Sequence, residues 1–141
     1  MKAKSIQKLL KGVIDNLCET IGDADIEKII KERSFISGGC IPTMMLDGFV
    51  NDFDFYFISK EDVDKVKEYY NSIEVDYNKK FHVNLITENA INLSDKVQLI
   101  TKFVGEPEDV VKNFDWQHIK SYYQYPDKLK FTEDPTNLNP F

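Results

Sequence analysis

Ser37-Gly38-Gly39-Cys40-Ile41-Pro42-Thr43-Met44-Met45-Leu46-Asp47-Gly48-Phe49-Val50-Asn51-Asp52-Phe53-Asp54-Phe55-Tyr56-Phe57 is the stretch on which the fold turns. It reads as three pieces in succession. Ser34-Phe35-Ile36-Ser37 is a short apolar strand that runs into Gly38-Gly39. Cys40 to Asp47 is one or two helical turns, with Pro42 tolerated near the start and Gly48 suited to the C-terminal cap. From Asp52 to Ile58 acids and aromatics alternate with the period of a strand.

Each piece has a chemical consequence. Glycines carry no Cβ, so the turn at Gly38-Gly39 lets backbone approach a ligand closely. A helix starting just after it presents free N–H groups and the positive end of its dipole, which suits phosphate. Asp52 and Asp54 stand two apart on a strand and share one face. Two carboxylates about 4 Å apart repel by about 4 kcal/mol at an effective dielectric of about 20. A divalent cation reverses that sign, and an all-oxygen ligand set favours Mg2+ or Mn2+.

This arrangement resembles the head of the DNA polymerase beta-like nucleotidyltransferases, in the form carried by bacterial tRNA nucleotidyltransferases and poly(A) polymerases. There a Gly pair, a helix and an Asp-x-Asp strand follow one another at the same spacing. The resemblance implies an α/β (α+β) fold with a mixed sheet and flanking helices. It places Ser37, Gly38 and Gly39 at the phosphates of a nucleoside triphosphate, with Asp52 and Asp54 as catalytic metal ligands for Mg2+ or Mn2+. The implied activity is transfer of a nucleotidyl group to a hydroxyl of RNA, protein or a small molecule. Two positions depart from the pattern. Pro42 and Thr43 stand where the tRNA enzymes carry Arg-Asp. The strand expected to bring a third acid, Val97 to Val104, holds Gln98 and Thr101 instead, with Asp95 and Glu88 near its ends. Phe103 to His118 is similar to a stretch of small phage proteins with such a head, which singles out Asp115 and His118. The departures leave an alternative: a catalytically inactive module of phage origin that binds nucleotide, RNA or a host defence protein.

Working outward, Ile6, Leu9, Leu10, Val13, Ile14 and Leu17 recur at helical spacing, giving a helix over 4–18 that packs on the core. Ala24 to Arg33 is a second helix, with Ile26, Ile29 and Ile30 inward. Ser59 with Asp62 marks a helix start, continued by Val63, Val66, Tyr70 and Ile73. Strands are expected over 74–77, 81–87 and 96–104, and Asn89 to Ser94 is a turn with a short flanking strand. Pro107 opens a further helix. Ile119 to Tyr125 and Lys128 to Thr132 form a hairpin around Pro126-Asp127. The reading is one domain over 1–132 and an extended tail over 133–141.

Composition narrows the function classes. A net charge of -6 argues against sequence-blind binding to nucleic acid, which rests on phosphate neutralisation by Lys and Arg. Cys18 and Cys40 form no metal-binding spacing and read as buried reduced thiols. No apolar run reaches the length of a membrane span, so the chain is expected in the cytoplasm, the host's if phage-encoded.

Overall fold

The computed structural model describes residues 1–114 and 120–131. The elements run α1 (Ala3–Glu19), α2 (Ala24–Glu32), β1 (Ser34–Ser37), α3 (Cys40–Met45), β2 (Phe53–Phe57), α4 (Lys60–Ser72), β3 (Val83–Ile86), β4 (Ala90–Leu93), β5 (Val97–Val104), α5 (Pro107–Val111), β6 (Ser121–Gln124) and β7 (Lys128–Phe131). The strands form one seven-stranded sheet in the order β3-β4-β5-β2-β1-β6-β7. Only the central β2–β5 pair is parallel among them. The α/β architecture with a mixed sheet and flanking helices is as expected from the sequence.

Period-two alternation in β1 and β2 divides the sheet into two faces. Ile36, Phe55, Phe57, Leu99 and Tyr123 join Ile6, Leu10, Ile14, Ile29, Ile30, Met44 and Val66 in one core under α1 to α4. Fully burying a Phe or Leu side chain contributes about 1.5–3 kcal/mol, so this face carries most of the stability. The opposite face holds a smaller cluster, Phe35, Tyr56, Tyr122, Val110 and Val111, under the short α5. Phe35 stacks on Tyr56 with ring centroids 5.6 Å apart.

Local signals account for the helix starts. Asp23 caps α2 by accepting from the Asp25 and Ile26 amides. Ser59 caps α4 by accepting from Asp62, and Asp62 itself is buried against the Arg33 guanidinium at 3.2 Å. The hairpin at 121–131 forms around Pro126-Asp127, and its turn is pinned to α1 by the Tyr125 hydroxyl donating to Asp15 at 2.6 Å.

Two local expectations are corrected. No strand forms over 74–77, because Val75 and Tyr77 find no partner strand and stay exposed. At the end of α3 the left-handed position falls on Asp47, φ +56, one residue before Gly48. The Asp47 amide donates to Met44 and the Gly48 amide to Thr43, the paired closure that ends many helices. Gly48 still suits the place, since a Cβ there would crowd the Thr43 methyl at 3.0 Å and its carbonyl oxygen at 3.2 Å. The tail over 133–141, with Asp115, Trp116 and His118, lies outside the described residues.

Candidate functional site

The C-terminal end of β1, the N-terminal ends of β2 and β5 and the turn between β4 and β5 meet at one end of the sheet. Register places Ser37 opposite Asp54, and Asp54 opposite Gln98. Gly38 takes φ +89, which favours glycine. A Cβ on it would lie 3.1 Å from Asp54 Oδ2, so the missing side chain lets the carboxylate sit against the turn. Gly39 caps α3 and has open space before it. Ser37 is buried, and its hydroxyl donates to the Ser121 carbonyl, tying β1 to β6.

Asp54 is the electrostatic centre of this end. It lies on the face of Tyr56, away from the main core, and is half-buried. Its Oδ1 is inaccessible and accepts no hydrogen bond among the described residues. Burial, and then the neighbouring Asp52 charge, push its carboxyl up to about 6. Asp52 is exposed and precedes β2 by one residue. Asp54 thus lies against the glycine turn, and Asp52, outside the strand, acts on it through its charge.

Among the described residues no third acid joins Asp52 and Asp54 in a group placed to hold a metal ion. The position beside Asp54 on β5 is the amide Gln98. Asp95 turns to the backbone instead, its Oδ2 accepting from the Phe81 amide at 3.2 Å and from the Ser94 hydroxyl at 3.0 Å. Glu88 and Thr101 lie toward the far end of the strands, where the Thr101 hydroxyl donates to the Glu88 carbonyl. Among the described residues, no group of three or more His, Cys, Asp or Glu is placed to hold a metal ion.

Sequence reasoning passed over the loop between α3 and β2. Leu46 is 82% exposed and Phe49 78%, the two most exposed of the large apolar side chains described. Lys96 lies over the Phe49 ring at 3.7 Å from its centroid. The available signal was apolar residues flanking a glycine just past a helix end. Cys18 and Cys40 are free and buried, and burial pushes both thiols up to about 12. Tyr122 and Tyr123 are core residues. No described helix is long and apolar enough to cross a membrane.

No curated protein and no solved structure matches the chain. The assignment to the nucleotidyltransferase superfamily, drawn from the glycine turn and Asp52-Phe53-Asp54, is overturned by a match over nearly the whole length to a family of another description. The motif is short, and such a turn followed by an acidic strand is not specific to one family. The match, over residues 8–138, is to the Gabija anti-defense 2 family, and the chain belongs to that family.

Proposed function

We propose that this chain is a phage anti-defence module that acts inside the host cell by binding a protein of the Gabija defence system. The contact lies at the end of the sheet carrying Gly38, Gly39, Asp52 and Asp54. Family membership supports this choice of target. The observation that carries the site is the Asp54 carboxylate, held partly out of water with an oxygen that has no partner. A cationic group of the partner, Arg above all, would stabilise its charged form. The experiment mixes the purified chain with purified Gabija proteins and measures complex formation by calorimetry. The expected result is a stable complex that Asp52→Asn with Asp54→Asn weakens at least tenfold. Absence of any complex, in a chain that still protects phage from the system, overturns the reading.

A second reading is favoured by the same pair of acids. Asp52 and Asp54 would receive Mg2+ or Mn2+ carried by a nucleoside triphosphate, with the phosphates near Ser37, Gly38 and Gly39. Such a ligand binding the native state raises stability by about 2.7 kcal/mol at a hundredfold excess over Kd. Melting with each of the four nucleotides, with and without Mn2+, tests it. A metal-dependent rise lost in Asp52→Ala with Asp54→Ala supports it, and no rise with any nucleotide removes it.

A further inference from the structure

The loop that leaves α3 is an apolar projection fixed at both ends. Its start is fixed by the amides of Asp47 and Gly48, donating to Met44 at 3.0 Å and Thr43 at 2.8 Å. The Gly48 backbone passes so close to Thr43 that a Cβ would meet it at 3.0 Å. Past this point Phe49 is held under the Lys96 ammonium. Lys96 is itself anchored, since its carbonyl accepts from the Phe53 amide at 2.6 Å. Asp95 and Lys96 both take positive φ, closing the tight β4–β5 turn against which the loop rests. Leu46 and Phe49 therefore stand in solvent on a loop hydrogen-bonded at both ends.

Two large apolar side chains held this way on a surface loop contribute nothing to the core of their own chain. In complex formation they do contribute: apolar area is removed from water, and part of the ordering cost of the loop has been met in the free protein. Around them Asp47, Asp52 and Asp95 are exposed, Asp47 paired with the Met1 ammonium at 2.6 Å, and the whole chain carries -6. Lys96 is engaged over the ring.

We propose that Leu46 and Phe49 are the anchor residues of the complex, inserting into an apolar pocket of the Gabija protein whose rim carries Lys or Arg. This rests on the binding reading above and names the surface that delivers it. The acidic residues set the rate of encounter with the basic rim, and the apolar pair sets the lifetime of the complex.

The test measures binding of purified Gabija proteins to the wild-type chain and to Leu46→Ser with Phe49→Ser, by calorimetry and by association kinetics. Because both side chains are exposed, the double variant should melt within about 2 °C of wild type, a check that the fold is intact. The expected result is at least a hundredfold loss of affinity, mainly through faster dissociation. Association of the wild type should slow several-fold between 50 and 500 mM NaCl, and Asp52→Lys should slow it at low salt. A double variant that binds like wild type overturns the proposal and leaves the binding reading standing. A wild-type chain that does not bind overturns both. Self-association of the chain that is lost in the double variant assigns the loop to a second copy and overturns the proposal too.

Discussion

Asp62 at the start of α4 and Asp54 at the start of β2 are both carboxylates withdrawn from water, and they are treated in opposite ways. Asp62 is 2% exposed and faces the Arg33 guanidinium at 3.2 Å, while its own amide is taken by the Ser59 cap. Asp54 has a glycine turn on one side, another acid nearby, and an oxygen with no partner. The first arrangement stabilises the fold and is complete within the chain. The second costs stability, and under the binding reading proposed above a partner completes it. A carboxylate that a fold merely tolerates does not need a glycine opposite it to make room. The contrast separates an acid paired within the chain from one left without a partner.

The largest effect should come from breaking the completed pair. Arg33→Ala leaves Asp62 buried without its cation, and the loss in urea unfolding should be about 2 kcal/mol, reduced from the full buried-pair figure because Arg33 is itself half-exposed. Partner binding should be unchanged. A loss at or below 0.5 kcal/mol would erase the distinction between the two acids.

Asp54→Asn should move stability the other way. Removing a charge that burial and Asp52 disfavour should raise stability at pH 7.5 by about 1 kcal/mol, after discounting for the exposed part of the side chain. In thermal melts this is a gain of about 3 °C. A drop in melting temperature would mean that the carboxylate supports the fold.

The same shift fixes a pH dependence. The Asp54 carboxyl is near 6 in the folded chain against an ordinary value of 3.8. Between these values the folded state holds the proton more tightly. Stability contributed by protonated Asp54 is therefore present below about 4 and lost as pH rises through about 6. Melting curves across that window, wild type against Asp54→Asn, should differ in slope in that sense. Asp52→Asn removes only the second cause of the shift and should give the smallest gain of the set, below that of Asp54→Asn in the same melts.

Much of this was legible in the sequence where one residue decides a local outcome. The stripe from Ile6 to Leu17, the Ser59 cap and the turn at Pro126-Asp127 each act within a few positions, and each element forms there. Gly38 beside Asp54 was legible for the same reason, since a strand, a turn and an Asp-x-Asp strand leave few ways to close. What required the fold was pairing between distant strands. β2 and β5 are joined in parallel across 39 intervening residues, and that register sets Gln98 beside Asp54 and directs Asp95 to the Phe81 amide. Val75 and Tyr77 alternate like a strand, but alternation does not supply a neighbour. Leu46 and Phe49 read as ordinary apolar residues, because only the helix closure at Asp47 and Gly48 shows that they point away from any core. The family, in turn, was legible only over the whole chain and not in its sharpest motif.

The central claim is that the partner missing from Asp54 is supplied by a Gabija protein. The direct measurement is the titration of the Asp54 carboxyl carbon by NMR, in the free chain and in the purified complex. The account predicts a midpoint near 6 in the free chain that falls by at least one and a half pH units in the complex, as a cationic group settles against the carboxylate. A midpoint that stays near 6 in a fully formed complex would contradict it.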